Sequence, residues 1–144
     1  MRSLFKDLLF LIVLSVVFGV SPVTPEIQAE SGGAKFIAYY FHTTARCATC
    51  LKIEEQAEEV IKTDFAEQLE SGQLEWKVVD VQFAENQHFV QDFQLLTKSL
   101  VLVEQVNGKP QRFKTLDKTW ELVRYPDRYR DYVKQELNNF LKAR

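Results

Sequence analysis

Cys47 and Cys50 are the only two cysteines of the chain, and they stand three positions apart in Arg46-Cys47-Ala48-Thr49-Cys50. At that spacing two thiols can meet if the backbone enters a helix at the pair. The first turn of a helix has free N–H groups and a partial positive charge, which stabilise a thiolate and lower its pKa. The first sulfur stays more exposed than the second, so Cys47 is the candidate nucleophile and Cys50 the candidate resolving thiol. In such chemistry Cys47 attacks a substrate disulfide and Cys50 releases the mixed disulfide. Arg46 adds a positive charge that favours thiolate. The plainer reading is a structural bridge. Its short loop returns only about 2 kcal/mol of closure entropy, and secreted domains stapled by disulfides usually carry four or more cysteines.

The elements around the pair suit this chemistry. Lys35 to His42 (KFIAYYFH) is aromatic and apolar without clean alternation, which suits a strand covered on both faces. From Cys50 the apolar positions Ile53, Ala57, Val60, Ile61, Phe65 and Leu69 follow helical spacing until Ser71-Gly72 stops them, and Thr63 beside Asp64 is the point where the helix could divide. Leu74 to Val81 reads as a second strand, Asn86 to Phe93 as a short helix, and Leu100 to Val106 as a third strand. Asn107-Gly108 is a strong hairpin signal, leading to a partner strand at about Gln111 to Leu116. Pro126 opens a last helix whose buried stripe is Tyr129, Val133, Leu137 and Phe140 or Leu141. The order β-α-β-α-β-β-α predicts an α/β domain with one mixed central sheet flanked by helices.

Residues 1–29 read differently. Arg2 and Lys6 precede the apolar run Leu8 to Val20, and a polar, Pro-containing stretch follows with the small residue Ala29 as a cleavage position. This is the pattern of a signal peptide, with a retained amino-terminal anchor as the alternative if the run extends to Val23. Either way the domain of residues 30–144 is expected outside the cytoplasm: periplasmic, secreted or membrane-anchored. Loss of residues 1–29 removes two charges of each sign, so the net charge stays at −2. No basic excess is available to neutralise phosphates, which argues against a nucleic-acid partner. The run of Glu54, Glu55, Glu58 and Glu59 reads as a solvated helix face.

A CxxC at the junction of a strand and a helix, in a β-α-β-α-β-β-α chain, resembles the thioredoxin superfamily over about Lys35 to Leu141. More narrowly, YYFHTTARCATC with the later WELVRYPDRYRDYV resembles the ArsF-type thioredoxin-like group, a nitrophenyl-compound nitroreductase subunit. The resemblance implies a thioredoxin-like fold, redox-active Cys47 and Cys50, and a redox partner protein or a small nitroaromatic or arsenical substrate. Departures from thioredoxin are evident. Ala48-Thr49 replaces Gly-Pro, and Arg46 replaces the aromatic residue before the first cysteine. The prolines are Pro22, Pro25, Pro110 and Pro126, so the Thr97-Lys98-Ser99 loop lacks the cis-proline that faces the cysteines in thioredoxin. Without it Lys98 stands to bring positive charge near the thiolate. The buried acid beside the second thiol is also not evident, with Phe41 or His42 in that region.

Other residues carry weaker signals. His42 could act as a base near Cys47, but a histidine at a strand end is more often hydrogen-bonded or exposed. His88 lies in the weakest helix. Trp76 and Trp120 read as core or edge packing. No cofactor is called for, and no dedicated metal ligands are assigned. A soft-metal or arsenite binder using the same two cysteines is the alternative function, and a non-catalytic scaffold is a third.

Overall fold

The structure is a computed structural model that describes residues 34–143. The signal-or-anchor segment, residues 1–29, lies outside the described residues. Strand β1, Lys35–His42, is the centre of the domain, and Phe36 to Phe41 are all buried. Its alternate side chains point to opposite faces. Phe36, Ala38 and Tyr40 enter one core, and Ile37, Tyr39 and Phe41 enter another. The absence of polar alternation in the sequence therefore has a physical basis: between Phe36 and Phe41 neither face of this strand meets water.

Two long helices, Ala48–Asp64 and Pro126–Lys142, cover the larger core. Helix α1, Ala48–Asp64, buries Cys50, Ile53, Ala57, Val60 and Ile61. It ends at Phe65, whose φ of −128° leaves the helical region, and the one-turn helix α2, Ala66–Glu70, follows. The division falls just after the Thr63-Asp64 position. Phe65 turns into the core there, while the Asp64 carboxylate stays in the helix and is held from outside by Arg130 at 2.9 Å and Lys134 at 3.3 Å.

Strand β2, Leu74–Asp80, lies parallel to β1. A 3-10 turn at Ala84–Asn86 then leads into helix α3, His88–Asp92, which lies within the expected helix of Asn86 to Phe93. They carry Phe89 and Phe93 onto the smaller core. Strand β3, Ser99–Val106, runs antiparallel to β1, and β4, Lys109–Thr115, runs antiparallel to β3. Asn107 and Gly108 connect them at φ 52° and 73°, the positive values a two-residue hairpin needs. β4 begins earlier than its expected start because Pro110 is tolerated on an edge strand, where it pairs with Gln105.

A one-turn helix α4, Thr119–Leu122, has no counterpart in the pattern read from the sequence. Helix α5, Pro126–Lys142, buries Tyr129, Val133, Leu137 and Phe140 against α1 and the sheet. The sheet order is β2-β1-β3-β4. With a parallel crossover on one side and a hairpin on the other, this is a thioredoxin-like fold. Among the described residues no helix is long and apolar enough to cross a membrane.

Candidate redox site

β1 ends at His42, and a four-residue loop delivers the chain to Cys47, the N-cap of α1. The loop is tied to the end of β2. Thr44 donates its hydroxyl to the Asp80 carboxylate at 2.6 Å and its N–H to Gln82 at 2.9 Å. The hydroxyl bond, with one from the Gln82 N–H, holds the Asp80 carboxyl below its ordinary pKa.

Cys47 and Cys50 form a disulfide with their Cα atoms 5.1 Å apart. Cys47 is exposed and Cys50 is fully buried, the asymmetry expected at a helix start. The Cys47 sulfur also takes the place of the usual capping oxygen, accepting from the Cys50 N–H at 3.2 Å. A thiolate on Cys47 would therefore sit on an orphan donor at the positive end of a helix.

The charge balance differs from the expectation in one respect. Arg46 does not stand free beside Cys47, because its guanidinium pairs with Glu54 of α1. Glu54 is correspondingly covered, whereas Glu55 and Glu59 stay exposed on the expected solvent face. Arg46 and Glu54 lie about two helical turns apart in sequence, and acidic periodicity alone does not single that pair out.

The Thr97-Lys98-Ser99 loop lies beside the sulfurs, as the topology implied. Lys98 donates its Nζ to the Ala45 carbonyl at 2.8 Å and lies 3.5 Å from Cys50 Sγ. Its own carbonyl accepts from Trp120 Nε1 at 2.9 Å. Trp120 is thus more than edge packing: α4 brings it to the site, where it fixes the lysine-bearing loop. Trp76 packs against the larger core as expected. Among the described residues no peptide bond is cis.

Tyr40 was not singled out from the sequence. Its hydroxyl donates to the Cys50 carbonyl at 2.8 Å in the buried core. Burial pushes its pKa up to about 12, against a smaller opposite effect of Arg46. The available signal was a tyrosine on the strand face toward α1, since a buried phenol needs a partner. Tyr129 does the same one turn further on, donating to the Ile53 carbonyl at 2.9 Å.

His42 contacts the neighbouring Thr43 carbonyl through Nδ1 at 3.0 Å, and His88 is exposed near Asp92. His42 and Lys98 border a hollow of about 260 Å³ whose floor is apolar, formed by Phe41, Val81, Val90 and Leu95. A second hollow, of about 450 Å³, opens between Thr49 and Trp120. Among the described residues no group of three or more His, Cys, Asp or Glu side chains is placed to hold a metal ion.

The fold and the pair define a class: a thioredoxin-like domain with a CxxC disulfide at the start of helix α1. No family model matches the sequence, and no curated protein matches it. Among solved structures the chain is similar to one described as the crystal structure of Trxlp from Edwardsiella tarda EIB202. The two are 18% identical over 72% of this chain and 84% of that one, with a TM-score of 0.40. At that distance the fold rests on the strand order and connections described above.

Proposed function

We propose that the protein is an exported thiol–disulfide oxidoreductase in which Cys47 is the nucleophile and Cys50 the resolving thiol. The observation that carries the proposal is the unlike setting of the two sulfurs. One is exposed and caps a helix, and the other is buried beneath it. In the reducing direction the Cys47 thiolate attacks a substrate disulfide, forming a mixed disulfide and expelling one substrate thiolate. The Cys50 thiolate then attacks Cys47 Sγ, closing the Cys47–Cys50 bond and releasing the second. Two electrons pass to the substrate, and the reverse sequence oxidises a dithiol.

Export rests on the Arg2/Lys6 start and the Leu8–Val20 run. A role as a subunit of a nitroaromatic or arsenical reductase rests on the resemblance of the YYFHTTARCATC segment. The test is trapping in native cells. Cys50→Ser should accumulate mixed disulfides with partners or small thiols, and Cys47→Ser should accumulate none. Equal trapping by both variants would overturn the assigned roles. Sub-micromolar arsenite or Cu(I) binding by reduced protein without exchange activity would favour the metal binder instead.

A further inference from the structure

The two sulfurs are served unequally by the groups around them. The helix terminus serves Cys47, through the Cys50 N–H. Cys50 is fully buried, and burial in apolar surroundings penalises a thiolate. Something must meet the charge that appears on it when the disulfide opens. The Arg46 charge is matched by Glu54, the Tyr40 hydroxyl is spent on the Cys50 carbonyl, and His42 faces Thr43. Lys52 and Arg124 line the hollow on the Trp120 side. The group in contact with Cys50 Sγ is the Lys98 ammonium, at 3.5 Å.

Building on the oxidoreductase reading, we propose that Lys98 is a catalytic residue of the exchange, its ammonium holding the negative charge that forms on Cys50 Sγ each time the Cys47–Cys50 bond opens. When a substrate thiolate attacks Cys47 Sγ, a new S–S bond forms and the Cys47–Cys50 bond breaks. Its electron pair leaves on Cys50 Sγ, where Lys98 meets it as an ion pair without a proton transfer. In the reverse direction the same ion pair keeps Cys50 ionised for its attack on Cys47. The co-reactant is a dithiol or disulfide substrate, which balances the two electrons.

Lys98 is equipped for this by its anchoring. One N–H is fixed on the Ala45 carbonyl, and the residue's own carbonyl is fixed by Trp120. The half-buried ammonium is held at the sulfur instead of being swept through solvent. Trp120 is the positioning residue of this arrangement. Among the described residues no acid is fully buried, and a charge on the loop that faces the disulfide gives the inner thiol another way to ionise.

The test uses the full chain with Lys98→Met, Lys98→Gln and Lys98→Arg. In a Cys47→Ala background, the ultraviolet absorbance of the thiolate reports the pKa of Cys50 alone. Lys98→Met and Lys98→Gln should raise it by about one unit or more, and Lys98→Arg should restore most of the loss. With both cysteines present, attack of dithiothreitol on the oxidised protein should slow by about threefold in the two neutral variants, because a more basic thiolate leaves more slowly. Gln keeps a donor for the Ala45 carbonyl, so wild-type behaviour of Lys98→Gln would assign the effect to the hydrogen bond and overturn the proposal. An unchanged Cys50 pKa in an exchange-active protein would overturn it too. A wild-type disulfide inert to dithiothreitol would refute the oxidoreductase reading itself.

Discussion

Replacing Tyr40 by Phe removes one oxygen atom from a fully buried side chain and leaves its ring in place. The oxygen donates to the Cys50 carbonyl at 2.8 Å. That carbonyl lies inside α1, so it keeps its helical partner and is not orphaned. The loss is therefore that of one net hydrogen bond, about 1 kcal/mol, or about 4 °C in Tm for a domain of this size. The pH dependence is sharper. Burial raises the Tyr40 pKa to about 12, against about 10 in an unfolded chain. Between those values the native state keeps a proton that the unfolded state has lost. The stabilisation is full below about pH 10 and is lost as pH rises toward 12, with a slope of up to about 1.4 kcal/mol per pH unit. Urea unfolding of the oxidised protein, followed by circular dichroism at neutral pH and at stepped pH above 10, reads both effects. Tyr40→Phe should lose about 1 kcal/mol at neutral pH and show a shallower alkaline decline. Tyr129, also raised by burial, keeps some slope in the variant. Equal neutral stability together with an unchanged alkaline slope would refute the role given to this phenol.

Two further expectations concern the frame. The Asp64 carboxyl loses some ionisation to desolvation, but hydrogen bonds from Arg130 and Lys134 outweigh it and hold its pKa below the ordinary value. Its stabilising effect is present above about pH 4 and is lost as pH falls through the lower folded value, so acid titration of Asp64→Asn should show a flatter acid limb than wild type. Gly108 sits at φ 73°, and a Cβ placed there would meet no atom within 4 Å. Gly108→Ala should therefore cost about 1 kcal/mol in urea unfolding, from backbone strain alone.

Much of this domain is determined locally. The both-sides burial of Phe36 to Phe41 follows from their unbroken apolar run, and the Asn107-Gly108 hairpin needs only two residues comfortable at positive φ. The entry of α5 at Pro126 follows from a missing N–H that costs nothing there. The CxxC at a strand–helix junction belongs to the same group, because the helix itself supplies the N–H that meets Cys47.

Short-range periodicity says little about one-turn elements, and so α4 and the 3-10 turn before α3 leave no signature in it. Tertiary packing decided the rest of the site. Lys98 reaches Cys50 across 48 positions of sequence, and Trp120 reaches Lys98 across 22. That the loop would lie near the sulfurs followed from the topology. Which donor faces which acceptor depended on the β1–β3 register and on the docking of α4. Arg46 shows the same limit over a shorter range, since a charge next to Cys47 in sequence is balanced by Glu54 once α1 forms. Residue type fixes what a side chain can donate or hold, but only the packed chain fixes the few ångströms over which hydrogen bonds and ion pairs act.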